Sequence, residues 1–491
     1  MSRINTNVSA LQAITQLGAN QAALSLSLER LSTGFRINRG ADDPAGLIAS
    51  ESLRSEITGI SAAIDNSTRA VNVISTADGA LGEVSKLLLQ VKGLVNASSN
   101  SGALSPDEIQ ANQLQVDSLL ESINRVANST QFNGKKLLNG ELGYTISGQN
   151  SNNLARLQVF GARVPSNSGL AVSVQVTQSA QTAQLTIGAG STGVSAIGNN
   201  ARLSTGNDVT IEVRGKLGTE TFSFTGGTTV SAIAAAVTSY KALTGVSATL
   251  NTTAGGSAVG LKFDSVGFGS SEFVSVRAIS GTFNINPGDT GDNEDHGRDA
   301  GVLINGQAAS VDGLTASIRS SGLDVVADLS QNFGTSLGST SFGVTGGGAD
   351  FQIGSNVNSD GLVSIGVPSI STSNLGDTTY GFLNTLGTGG ANALTDPSKQ
   401  PSAAQIVSAA ITQVAVLSGR LGGFQSNQIE TNLNSQRVAL ENVQASESTI
   451  RDTDYASEVA NLTRSQILVQ STTQILGLAN QIPQSVLTLL R

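Results

Sequence analysis

The sequence predicts an α+β multidomain chain, with a long α-helical coiled-coil and bundle inner part formed by both termini and β-rich outer modules inserted between them. Three observations carry this. Apolar residues step by three and four through both ends, the middle is rich in Gly, Ser and Thr with alternating apolar runs, and the outermost stretches carry almost no charge. The textures divide 491 residues into three parts. Residues 1–40 with 456–491 read as an innermost coiled-coil domain, 41–140 with 396–455 as a helical bundle with short β-hairpins, and 141–395 as one or two outer modules, including an α+β unit near 209–280.

From the start of the chain, Ile4, Val8, Leu11, Ile14, Leu24, Leu28, Leu31 and Phe35 supply apolar positions, yet no ionisable side chain occurs between Arg3 and Glu29. Asp43-Pro44 then offers a cap followed by proline at the first helical position, where its missing donor costs nothing. Ile74, Ala77, Leu81, Val84, Leu88, Val91 and Val95 form an unbroken stripe that must meet another helix. Ser105-Pro106-Asp107-Glu108 has the pattern of a capping box and opens a helix with Val116, Leu119, Ile123 and Val126 on one face. Asn133-Gly134 and Asn139-Gly140 mark tight turns, because Asn and Gly tolerate positive φ.

In the middle, residues 209–215 and 220–227 alternate as paired strands, Val230 to Tyr240 has helical period, and 245–251 with 259–265 return to strands. This β-β-α-β order predicts a small α+β unit rather than a parallel sheet. Further strands are expected at 157–161, 170–178 and 362–367.

Asp396-Pro397 repeats the cap-then-proline start. After it Val414, Leu417, Leu421, Phe424, Ile429, Leu433, Leu440, Val443 and Ile450 continue the bundle pattern. No charge lies between Arg464 and Arg491, where Leu468, Ile475, Ile482 and Leu489 recur every seven and Ala479 and Val486 stand four beyond Ile475 and Ile482. Pro483 falls inside this run, where a proline costs about 3 kcal/mol, and is expected to kink or restart the helix. Removing charge from both ends favours packing against copies of the same chain. The expected assembly core is therefore Ile4, Val8, Leu11, Leu24, Leu28, Leu31, Phe35, Leu468, Ile475, Ile482, Val486 and Leu489. The expected bundle core is Ile74, Leu81, Val84, Leu88, Val91, Val116, Leu119, Ile123, Leu417, Leu421, Leu433 and Leu440. Lone stripes cannot bury themselves, so both termini are expected to order on assembly.

Composition narrows function. A net charge of −9 argues against a nucleic-acid binder and an anionic membrane as partner. Nowhere do eighteen apolar residues run together, so no membrane insertion is expected. The opening residues have no apolar core of a secretory signal. With no Cys and one His, thiolate chemistry, disulfides and multi-histidine metal sites are excluded; no enzyme activity and no cofactor are expected.

Several short strings match catalytic or binding motifs only in part. Gly334-Thr335-Ser336-Leu337-Gly338 fits a nucleophile elbow, but that motif needs a strand before it, a helix after it and a later His, and His296 lies upstream. Gly188 to Gly193 fits a dinucleotide fingerprint with Asp208 beyond it, but Gly198 and Asn199-Asn200 interrupt any following helix. Asp289, Asp292 and Glu294, with Asp295, His296 and Asp299, crowd one Gly-rich loop with oxygen ligands suited to Ca²⁺. Position twelve from Asp292 is Leu303 rather than a bidentate Glu, so the loop reads as a solvated turn and Asp289, Asp292 and Glu294 as weak metal candidates. H-E-x-x-H is not in the sequence.

The stretch from Ile4 to Ile57, INTNVSALQAITQLGANQAALSLSLERLSTGFRINRGADDPAGLIASESLRSEI, resembles the amino-terminal signature of bacterial flagellins, and 447–491 resembles their carboxy-terminal one. The resemblance covers about 1–140 and 400–491; the central stretch, including GRDAGVLING, is similar to modules inserted in long flagellins. It implies a subunit that polymerises head-to-tail into a hollow flagellar filament, with the terminal helices innermost, the bundle around them and the middle outside. It also implies an extracellular destination reached unfolded through the flagellar type III export apparatus with a chaperone, without a cleaved signal peptide. Hook-associated junction and cap proteins are the implied neighbours. A family patch read by a Toll-like receptor falls on Gln90, Val91, Lys92 and Leu94, where only Val91, Lys92 and Leu94 keep the family's character. Two alternatives stay open: a hook-filament junction-type axial protein, and an adhesin or glycan-binding role for the central region.

Overall fold

The computed structural model describes the chain apart from residues 1–5, 101, 165–168, 188–193, 196–201, 253–257, 284–292, 321 and 490–491; at 187, 194–195, 252, 258–259 and 482–489 the backbone alone is described. In chain order the helices are α1 (Val8–Thr33), α2 (Pro44–Ser98), α3 (Pro106–Ser129), α4 (Val230–Ser239), α5 (Lys241–Thr244), α6 (Gln331–Gly334), α7 (Gln400–Phe424), α8 (Thr431–Arg451) and α9 (Tyr455–Leu489). Contacts divide the chain into two compact units, one of residues 1–69, 352–362 and 429–491, the other of 70–351 and 363–428. The expected boundary at 395 does not coincide with this division. The segment 352–362 belongs with the terminal helices, where a Cβ on Gly59 of α2 would meet the Ser355 carbonyl at 2.8 Å.

In the second unit, α2 buries its whole predicted stripe: Ile74, Ala77, Leu81, Val84, Leu88, Val91 and Val95. The capping box at the start of α3 is formed, with Ser105 Oγ accepting the Glu108 N–H at 3.3 Å and Glu108 Oε2 accepting the Ser105 N–H at 2.7 Å. The buried face of α3 is Ile109, Gln113, Val116, Leu120, Ile123 and Ala127. Leu119, expected in the core, is half-buried beside it, because Leu120 takes the inward position. Gln113 explains how a polar residue enters this stripe: it donates to the Leu386 carbonyl at 2.8 Å and accepts from the Leu394 N–H at 2.7 Å, closing the loop above α7.

On α7, Val414, Leu417, Leu421 and Phe424 are buried, and Ile429 and Leu433 follow. The five-residue step from Phe424 to Ile429 is taken up by a π-helical segment, Gln425–Glu430, which adds the residue an α-helix would lack. Leu440 of α8, also expected in the bundle core, is half-buried. A window within Pro397–Arg451 is apolar and long enough to cross a membrane by length and composition, which the sequence reading did not expect; within that helical stretch Ala403, Ile406, Val407, Ala410 and Val414 are buried.

Two β-rich cores lie between α3 and α7. In one, strands Leu170–Gln178, Gly338–Gly347, Tyr144–Ser147, Gly301–Ile304 and Gln307–Ala308 form a five-stranded sheet, and Ser310–Asp312, Thr315–Arg319, Leu323–Leu329 and Leu154–Ala162 a four-stranded one. Val172, Val174, Val302, Val325 and Phe342 fill the space between them. In the other, Val209–Gly215, Thr219–Phe224, α4, Val246–Thr252 and Ala258–Ser265 follow the β-β-α-β order read from the sequence. All strand pairings in it are antiparallel, and Ile211, Ile233, Val237 and Phe263 are at its centre. The Asn133-Gly134 turn joins Gln131–Phe132 to Lys135–Lys136, with φ of 49° and 81°.

Candidate assembly surface

The candidate surface is built on α1 and α9, which run antiparallel. Asn7 Nδ2 donates to the Ala479 carbonyl at 2.7 Å, Asn20 Nδ2 to Thr472 Oγ1 at 3.4 Å, and Tyr455 Oη to the Leu31 carbonyl at 3.4 Å. Arg30 and Glu458 face each other at 3.8 Å. The seam follows steps of three and four on both helices: Ala10, Ala13, Leu17, Asn20, Leu24, Ser27 and Leu31 on α1, and Glu458, Leu462, Ser465, Val469, Thr472, Leu476 and Ala479 on α9. The positions fully buried in it are the small or polar ones, while its leucines and Val469 are half-buried.

Most of the large apolar residues expected in the assembly core lie off this seam. Leu468 and Ile475 stand one residue before Val469 and Leu476, about 100° around a helix of 3.6 residues per turn, and they point away from the seam. On α1, Val8, Leu11, Ile14 and Leu28 are likewise exposed, and on α9 Val459, Ile467 and Leu478 join them. Leu11 is 57% exposed and Ile475 53%. Leu24 and Leu31, expected among the assembly residues, line the seam instead. Ile4 and the side chains of Ile482, Val486 and Leu489 lie outside the described residues. The backbone of α9 continues to Leu489 through Pro483, without the restart expected there.

Below the seam, the chain ends are tied together. Phe35 and Asp452 form an antiparallel bridge, the Arg36 N–H donates to the Arg451 carbonyl at 2.7 Å, and the Thr453 N–H donates to the Gly34 carbonyl at 2.9 Å. Asp42 accepts the N–H groups of Arg39 and Asn38 at 2.9 and 3.1 Å, which holds its carboxyl below the usual carboxylate range. Asp43 Oδ1 accepts the Gly46 N–H at 2.9 Å at the start of α2.

The remaining candidates separate. Of the receptor patch, Val91 is in the bundle core, so it offers no surface; Gln90 is exposed, Lys92 and Leu94 half-buried. Gln90 and Leu94 line a shallow groove with Gly93, Leu114, Ser118 and Leu119. Asp289 and Asp292 lie outside the described residues, as does the 188–193 fingerprint. Glu294 pairs with His296 at 3.2 Å, and among the described residues no group of three or more His, Asp or Glu forms a metal site. At the G-x-S-x-G string the order is inverted: α6 precedes Ser336 and a strand follows it, so the hydroxyl is not presented on a strand-to-helix turn. Sequence reasoning missed Asn7, Asn20, Glu458 and Thr472. On α9 the signal was a second heptad, Glu458, Ser465, Thr472 and Ala479, hidden because its members are small or polar; nothing in the apolar pattern of α1 marked Asn7 or Asn20.

Family models described as the bacterial flagellin N-terminal helical region, the bacterial flagellin C-terminal helical region and the flagellin hook IN motif match residues 4–142, 404–490 and 209–263. Flagellin B of Helicobacter pylori is 30% identical over 528 aligned residues, covering 100% of this chain and 99% of that one. A flagellin of Salmonella muenchen is 28% identical with 99% of each chain covered. A Bacillus subtilis flagellin is 41% identical over 139 residues, 28% of this chain and 46% of its own. Similar solved structures include a flagellar protein of Burkholderia pseudomallei (15% identity, 73% of this chain and 99% of that one, TM-score 0.24) and a flagellar cap protein of Escherichia coli (14% identity, 54% and 62%, TM-score 0.28).

Proposed function

From the premise that the chain belongs to the bacterial flagellin family and is a structural subunit of the extracellular flagellar filament, we propose that it polymerises through the outward faces of α1 and α9. The observation that carries this reading is the inversion of ordinary burial in the helix pair. Small and polar side chains occupy the buried seam positions, while Leu11, Ile14, Ile467, Ile475 and Leu478 face out from helices with almost no charge. Copies of the same chain supply the surface that removes these side chains from water, at about 25 cal/mol per Å² of apolar area. Head-to-tail contacts of this kind do not close on themselves and extend as an open helix.

The same reading includes ordering of the termini on assembly, since a two-helix pair with a polar seam has little to stabilise it alone. It also includes passage of the unfolded chain through the flagellar export apparatus with a chaperone and without a cleaved signal. The lack of Cys supports this, because no stray disulfide forms in transit. Junction and cap proteins at the two ends of the polymer are proposed to meet these same helices. In the same reading, a Toll-like receptor that reads this patch meets Gln90, Lys92 and Leu94 without the buried Val91.

The test is seeded growth with a chain lacking residues 1–30 and 462–491. The reading expects a subunit that keeps the helical signal of its bundle and adds nothing to filament seeds. Elongation at the rate of the full chain would overturn it.

A further inference from the structure

We propose that Pro483 opens a backbone acceptor in α9 that Asn7 closes, so that each terminal helix is completed by the other. In an uninterrupted α-helix the Ala479 carbonyl accepts the N–H of the residue four positions on. That residue is Pro483, which has no N–H to give, yet α9 continues past it to Leu489. Ala479 is 4% exposed and sits on the seam, so water does not serve its carbonyl freely. Asn7 Nδ2 does, at 2.7 Å. The other end of the same amide is also in use: Asn7 Oδ1 accepts the Ala10 N–H at 3.1 Å and caps α1. One side chain thus starts the amino-terminal helix and repairs the carboxy-terminal one. Pro483 acts as a notch that α1 must fill, and Asn7 as a positioning residue that fixes how far the tips of the two helices overlap.

The inference rests on the pairing of α1 and α9 in the polymer. It is tested by hydrogen exchange on seeded filaments of the full chain. Asn7→Asp and Asn7→Ser keep a capping oxygen but place no amide donor on Ala479. Each is made alone and together with Pro483→Ala, which restores an N–H to α9. Both single variants are expected to speed exchange over residues 476–486 roughly tenfold, the factor for one orphaned buried acceptor, with the Ala10 amide unchanged. In the Pro483→Ala background neither substitution is expected to have any effect. Unchanged exchange in the single variants, or equal loss with and without Pro483, would overturn the proposal. Unprotected α1 and α9 amides in unsubstituted filaments would overturn the pairing itself.

Discussion

The guanidinium of Arg451 lies 4.7 Å from the centre of the Phe35 ring, joining residues from opposite ends of the chain at the base of the helix pair. Its Nη1 also reaches Glu51 of α2 at 3.1 Å. Stacking on an aromatic face is worth about 1 kcal/mol at partly exposed sites. Arg451→Ala is therefore expected to weaken the bridge beside it by about 1–2 kcal/mol, read as faster exchange of the Arg36 amide, which donates to the Arg451 carbonyl. Arg451→Lys keeps the charge and loses the planar contact, so it should recover only part of the protection.

The start of α3 predicts a pH response. The Ser105 N–H, then its hydroxyl, hold the Glu108 carboxyl below its ordinary value of 4.5. A depressed folded-state value means that its contribution is present above 4.5 and is lost as pH falls through the folded value. Exchange of the first-turn amides of α3 should therefore rise on acidification below the ordinary carboxylate range, and Glu108→Gln should flatten that dependence.

The two sides of α2 around Leu88 differ in what a substitution costs. Leu88→Ala removes a side chain with no exposure and is expected to cost about 3 kcal/mol in denaturant unfolding. Gln90→Ala, on the exposed side of the same helix, should stay within about 0.5 kcal/mol.

Arg420 of α7 holds Asp324 at 2.6 Å and lies 4.0 Å over Phe160, both on strands of the four-stranded sheet. With the two charges mostly buried, Arg420→Ala leaves Asp324 only the more distant and exposed Arg319, at 3.5 Å, and is expected to cost on the order of 2–3 kcal/mol. Pairing Arg420→Met with Asp324→Leu should cost clearly less, because no charge is left behind. Thermal unfolding of the three variants measures the difference.

How legible these features were depends on whether side-chain chemistry or side-chain direction decided them. Ile74 to Val95 could be read at every position because a long helix with one apolar stripe has a single way to bury it. The unit from Val209 to Ser265 was legible because its turns and periods agreed. Leu119 and Leu120 were not separable, since adjacent leucines both fit a 3.6-residue period within half a step. On α9 the apolar heptad Leu468 and Ile475 concealed the seam at Ser465, Thr472 and Ala479. A pattern search follows hydrophobicity, and here the large apolar residues are turned outward. Pro483 was expected to kink or restart the helix because its missing N–H was counted without the Asn7 amide that reaches the Ala479 carbonyl.

The most direct test of the account is the rate of elongation on filament seeds for a chain carrying Leu11→Ser, Ile14→Ser, Ile475→Ser and Leu478→Ser, all outside the seam. The account predicts that growth stops while the bundle remains folded by circular dichroism. Elongation at the unsubstituted rate would contradict it.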